Sequence, residues 1–348
     1  MIRRPSRPSL VLCVALLVSS SAFPSTAQVR RRPVRTSAPI LERNIRAELS
    51  FLASDAMQGR GSGTGYERIA AEYIGSQFRQ FGLEPGGDAD GSGNKGFVQR
   101  VPLDTMRARA KPSGAATEQT DASATWNAIG VLPGTDPGGE AIMLSAHLDH
   151  LGVNESLTGD KIFNGADDDA SGCVAVMEMA RVLAAGQRPR RTIYFICFGS
   201  EERGGYGARY FIANSPVPLE KIVADFNFEM LGRPDAKVPP DKLWLTGYER
   251  STLGPELVRQ GASLVADPHP EQNFFQRSDN YTLALRGVVA HTVSSFGLHK
   301  DYHRPSDEIS KIDFAFMTRS LNSLVRPIQW LSNTSFRPTW LPGHAPAR

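Results

Sequence analysis

Nine residues from Asn164 to Gly172 read Asn-Gly-Ala-Asp-Asp-Asp-Ala-Ser-Gly. Three consecutive acids among small residues make a poor core and a good cradle for a hard cation. By itself such a triplet is an ordinary solvated turn. Its company gives it weight: His147-Leu-Asp149-His150 lies upstream, Glu201-Glu202 downstream, Glu229 beyond them and His303 near the end. Carboxylates and imidazoles gathered in one crevice repel or protonate one another unless positive charge sits among them, and a pair of divalent cations meets that need. Mixed histidine and carboxylate ligation suits zinc, with other first-row ions as alternatives. Two such ions need a bridging carboxylate and a water whose pKa they lower. An adjacent carboxylate that is not a ligand can then take the proton.

For these residues to meet, the chain must bring distant segments to one edge. From Asn127 the pattern alternates strands with helices. The expected strands are 128–132, 141–146, 192–198, 222–228, 243–246 and 287–293, and the expected helices are 171–185, 206–213, 253–260 and 312–331. Two earlier helices are expected. In the first, Leu41, Ile45, Leu49 and Leu52 share a face; in the second, over 66–81, Ile69, Tyr73, Ile74 and Phe78 form the apolar stripe. A short strand at 97–101 sits among Gly- and Asp-rich loops. This order predicts an α/β fold: a single domain with a mostly parallel mixed central sheet flanked by helices on both faces. His147 closes one strand, Glu201 and Glu202 follow another, Glu229 closes a third and the acidic triplet opens a helix. Open α/β sheets bind ligands beyond the carboxyl ends of their strands, so these residues converge there.

The ends of the chain carry other signals. Arg3, Arg4 and Arg7, the apolar run Leu10 to Val18 and the small residues Ser25-Thr-Ala27 read as a secretory signal peptide over 1–27, too short to span a bilayer. A secreted or periplasmic protein without a stable membrane anchor is the expectation. A disordered basic leader is expected over 28–40, a catalytic domain over 41–334 and a Pro-rich tail over 335–348. The formal charge of +3 becomes −4 once the seven arginines before residue 36 are set aside, which argues against a nucleic-acid partner. Cys173 and Cys197 fall in apolar contexts and read as buried thiols. Oligomeric state has no signature here.

The chain resembles metallopeptidase family 28, the co-catalytic di-zinc aminopeptidases and glutamate carboxypeptidases. The resemblance rests on Ala146-His-Leu-Asp-His-Leu-Gly152, the Asn164–Gly172 stretch, Ser200-Glu-Glu-Arg-Gly-Gly-Tyr-Gly207, Asn227-Phe-Glu-Met-Leu-Gly-Arg233 and Asp301-Tyr-His303. It implies a zinc exopeptidase fold and two Zn2+ ions per chain. His147 and Glu229 would be ligands of one ion, Glu202 and His303 of the other, and Asp168 the bridge. Glu201 would be the general base and then the acid, Asp149 would orient His147, and Tyr302 would donate to the oxyanion. Glu229 departs from the aspartate many members carry. His150, His291 and His299 have no role in this pattern and read as wall or structural histidines; Asp167 and Asp169 read as turn and capping acids.

The function implied is an exopeptidase acting on peptide substrates, most simply an aminopeptidase. A carboxypeptidase or dipeptidase would need a cation for a free carboxylate, for which Arg233 and Arg277 are the candidates. A one-metal glutaminyl cyclase fits less well because His147 stands beside the other four ligands. A non-catalytic binding module on the same fold is the alternative from another class.

Overall fold

In a computed structural model the described residues are 1, 38–104, 123–136 and 138–347. The expected signal peptide and most of the basic leader lie outside them. The described residues from 38 to 347 form one compact unit.

Four strands make its centre: β4 (Ala141–His147), β7 (Thr192–Phe198), β8 (Ile222–Phe228) and β11 (Ala290–Ser294). Every residue of β4, β8 and β11 is buried, as the near-continuous apolar runs of a sheet covered on both faces require. β7, β4, β8 and β11 run parallel in that spatial order. On one side the sheet extends antiparallel through β3 (Ala124–Leu132) to β1 (Glu84–Pro85) and β2 (Val98–Pro102). On the other, β9 (Leu243–Leu245) pairs antiparallel with β11 and parallel with β10 (Leu264–Ala266). A small hairpin, β5 (Gly152–Val153) with β6 (Ile162–Phe163), stands apart. The mostly parallel mixed sheet expected from the sequence is therefore present.

The helices are α1 (Glu42–Leu52), α2 (Gly65–Gln80), α3 (Gly172–Ala185), α4 (Tyr206–Ala213), α5 (Leu253–Arg259), α6 (Asp279–Ala284) and α7 (Phe314–Asn333). α3 is buried almost all round, as its Gly-Cys-Val-Ala-Val-Met sequence allows, and it begins where the acidic triplet ends. Among the described residues no helix is long and apolar enough to cross a membrane.

Two expectations need correction. The buried stripe of α2 is Glu67, Ala70, Ala71, Ile74 and Phe78, and Ile69 faces solvent; two alanines and a glutamate gave the true face too little apolar signal. The leader was drawn to residue 40, but Ile40 is buried and its N–H and C=O both bond Asn322. The Pro-rich tail is docked on the domain. Leu341 N–H donates to the Arg250 carbonyl, and the Trp340 ring lies 5.2 Å from that of His291.

His291 is fully buried in β11. Its Nδ1 donates to the Thr246 carbonyl at 2.7 Å and its Nε2 accepts from Ser251 Oγ at 2.7 Å, so the fold uses the neutral ring. Burial pulls its pKa down to about 4. Between pH 6.5 and 4 the unfolded chain takes up a proton that the folded chain refuses. His291 should therefore contribute full stability above pH 6.5 and lose about 3 kcal/mol as pH falls toward 4. Denaturant unfolding of wild type and His291→Gln across this range should show the variant with the shallower acid dependence.

Candidate metal centre

Each strand end delivers one part of the site. His147 is the last residue of β4 and Glu229 follows β8; Ser200, Glu201 and Glu202 follow β7, and Asp168 sits in the turn that leads into α3. His303 comes from the loop after β11. His147 Nε2 lies 3.2 Å from Asp168 Oδ1, and His303 Nε2 lies 3.1 Å from Asp168 Oδ2 and 3.3 Å from Glu202 Oε2. Two groups of potential ligand atoms each fall within 4.8 Å: His147, Asp168 and Glu229, and His150, Asp168 and Glu202. Asp168 belongs to both. All five ligand positions expected from the sequence are thus brought together.

The donor set fits a metal on an observation of this structure. Asp168 Oδ2, Glu229 Oε2, His150 Nε2 and His303 Nε2 are buried with no hydrogen-bond partner. His303 Nε2 and Asp168 Oδ2 approach closely without the alignment of a hydrogen bond. Buried polar atoms are rarely left in this state, and lone pairs converging on a shared cation account for it. The electrostatics agree. Burial would raise Asp168, yet His147, His150 and His303 hold its carboxyl well below the usual range. Glu202, opposed by burial and Asp168, is drawn down to about 2 by His150 and His303.

Glu201 behaves differently. Burial raises its carboxyl well above the usual range, and Asp279, Glu202 and Glu229 push further against the pull of His147. Its N–H donates to Asp149 Oδ1 at 2.9 Å, and Asp149 Oδ2 accepts from Ser62 Oγ at 2.5 Å. Asp149 lies 3.7 Å from His147 Nδ1, whose 3.1 Å hydrogen-bond partner is the Asp149 carbonyl. Residue 149 therefore orients both the imidazole and the loop that carries Glu201. The Tyr302 ring stacks on His303 at 3.9 Å, and burial together with Asp168, Glu202 and Glu229 keeps its phenol protonated far above the ordinary value.

His150 was read as a wall histidine, yet its Nδ1 lies 2.9 Å from Glu202 Oε1. His299 and His291 are structural as expected, the former bonded to Asp167 Oδ2 at 3.0 Å. Asp167 and Asp169 tie the turn to its neighbours. Asp169 accepts from the N–H groups of His147, Gly172 and Met230, and Asp167 from that of Gly232. Gly165, at φ +56°, leaves the room a Cβ would take from the Asp168 carbonyl and the His150 ring.

Two supporting residues went unassigned. Arg60, 1 % exposed, donates to the carbonyls of Leu52, Leu148, Asn164 and Gly165 and so clamps both the His147 and Asp168 loops. Glu67 accepts from Ser200 N–H at 3.0 Å, Thr125 Oγ1 at 2.5 Å and Gly63 N–H at 2.7 Å, fixing the residue before Glu201. The Thr64-Gly-Tyr-Glu67 sequence, a capping box, was the signal available. Beside Glu229 and Tyr302 opens a pocket walled by Trp244, Phe274 and Phe296, with Arg277 among its lining.

The model of peptidase family M28 matches residues 127–325, more than half of the chain. The chain belongs to peptidase family M28. It is 31% identical over 156 residues to leupeptin-inactivating enzyme 1 of Streptomyces exfoliatus, covering 42% of this chain and 33% of that protein. It is 26% identical over 209 residues to a probable zinc metalloprotease of Pyrenophora tritici-repentis, covering 60% and 40%. The chain thus spans well under half the length of these relatives. Among solved structures, BSAP, a zinc aminopeptidase from Bacillus subtilis, superposes with a TM-score of 0.63 at 17% identity, covering 85% of this chain and 96% of that one. That likeness establishes the fold.

Glu67→Ala should leave the buried Ser200 N–H and the half-buried Gly63 N–H unpaired. A loss of about 3 kcal/mol in urea unfolding is expected, and a loss below about 0.5 kcal/mol would mean the carboxylate does not fix this loop.

Proposed function

We propose that this chain is a zinc metallo-exopeptidase that removes amino-terminal residues from peptides. The observation that carries the reading is the buried Asp168 shared by two ligand groups, with unpartnered donor atoms facing each other and a carboxyl of raised pKa beside them. His147, Asp168 and Glu229 would hold one zinc ion and Asp168, Glu202 and His303 the other, with His150 fixing Glu202. When bound, the ions supply Lewis-acid polarisation of the scissile carbonyl and a water of lowered pKa.

The chain's own residues do the remaining work. Glu201, held in its raised range beside the ligands, takes the proton of the attacking water and returns it to the leaving amine. The Tyr302 phenol, kept protonated, donates to the oxyanion that forms on the carbonyl oxygen. Asp149 and Glu67 keep the Glu201 loop in register. An amino-terminal preference is supported by the acid excess: Asp279 and Glu229 push the Glu201 carboxyl up and Glu229 pushes Asp279 up, a surplus of negative charge that a free ammonium would match. The family and the names of the Pyrenophora and Bacillus proteins support zinc and aminopeptidase action. The enzyme acts outside the cytoplasm, a reading supported by the signal peptide expected over residues 1–27. A carboxypeptidase reading is kept in view by Arg277, because Arg233 is already paired with Asp301 at 2.8 Å.

Glu201→Gln should retain its zinc by mass spectrometry while kcat on leucine p-nitroanilide falls by roughly 10²–10⁴-fold. Full activity in this variant would remove Glu201 from the proton transfer.

A further inference from the structure

We infer that Arg233 is a positioning residue for His303 and Tyr302, and that it acts through its ion pair with Asp301. The inference rests on the peptidase reading and adds a supporting residue to the candidate centre. His303 differs from the other candidate ligands in where it sits. His147 and Glu229 stand at strand ends and Asp168 in the turn before α3, whereas His303 lies on the long loop between β11 and α7 with its side chain 34 % exposed. Its φ is +53°, a conformation that a non-glycine residue keeps only where its surroundings hold it.

Both ends of this loop are tied down. Ser295 N–H donates to the Met230 carbonyl at 3.0 Å, and the Asp307 carboxyl accepts from the N–H groups of Asp167 and Asp168. Between those ends the ties are made by side chains. His299 Nε2 meets Asp167 Oδ2 at 3.0 Å, and the buried Asp301, two residues before His303, accepts from Arg233 Nη1 at 2.8 Å through Oδ2. The other carboxylate oxygen of Asp301 accepts from Ser306 Oγ at 2.7 Å, and its carbonyl accepts from Arg304 N–H at 3.0 Å. One aspartate thus closes the turn around His303 and fastens it to a neighbouring segment. That segment is the one that carries Glu229, and it is anchored in turn: Gly232 N–H donates to Asp167 Oδ1 at 2.7 Å. Through Arg233 the segments bearing Glu229, Asp168 and His303 form a closed ring. Exposed ion pairs hold little, but here the carboxylate is out of solvent and the hydrogen bond is charge-assisted. Without it the turn can shift between its remaining ties, and the Tyr302 ring, stacked on His303 at 3.9 Å, moves with it.

The test compares wild type with Arg233→Met, Asp301→Asn and the double variant. Zinc titration into the metal-free proteins should show one of two binding events weakened by about tenfold or more in each single variant and the other little changed. The double variant should be no weaker than the poorer single one, because both substitutions remove the same contact. On leucine p-nitroanilide kcat should fall with KM little changed. Amide hydrogen exchange of the metal-free proteins should quicken over residues 298–306 and stay as in wild type in β4 and β8. Unchanged zinc affinities, losses that multiply in the double variant, or unchanged exchange over 298–306 would each overturn the inference. Faster exchange throughout, with both binding events weakened alike, would show a general loss of stability and overturn it as well. Should wild type bind zinc and hydrolyse no peptide, the peptidase reading alone fails, and the affinities and exchange still decide; should it bind no zinc, the exchange decides.

Discussion

A buried carboxylate shared between two groups of ligands is the constraint on which the rest of this structure depends. Asp168 meets His147 on one side and His303 on the other, and Glu202, Glu229 and Glu201 stand close by. Without compensating charge such a crevice would protonate or open. The direction of the pKa shifts separates the acids by role. Asp168 and Glu202 are held down by imidazoles, whereas Glu201 is pushed up by burial and by other acids. That divergence suits two ligands and one proton carrier.

Much of the surrounding structure holds this arrangement in place. The N–H groups of Asp167 and Asp168 donate to the Asp307 carboxyl, Arg60 ties four carbonyls together beneath the two loops, and Asp149 links His147 to Glu201. Ser200, Met230 and His303 all adopt positive φ, near +55°, and each belongs to the cluster or stands directly beside one of its acids. Non-glycine residues in that region carry strain that their surroundings must sustain. Here it is sustained next to Glu201, next to Glu229 and at His303.

The parallel core was legible because its strands are unbroken apolar runs of the right length, bounded by turn residues. β7, β8 and α4 fall where the spacing placed them. The convergence of these acids and histidines was legible because, at strand ends, they have no packing reason to be there. What was not legible depends on contacts remote in sequence. Arg60 lies in a glycine-rich loop and gains its meaning from carbonyls about a hundred residues away. His150 could not be told from a wall histidine until Glu202 was seen beside it. The docking of Ile40 and Trp340 follows from partners, Asn322 and His291, that no local pattern names.

Calorimetric titration of zinc into the metal-free chain, beside Asp168→Asn, tests the shared-carboxylate account most directly. The account predicts two ions per wild-type chain and weakening of both binding events in the variant, because one side chain serves both. A single ion in wild type, or a variant that loses one event and keeps the other intact, would contradict it.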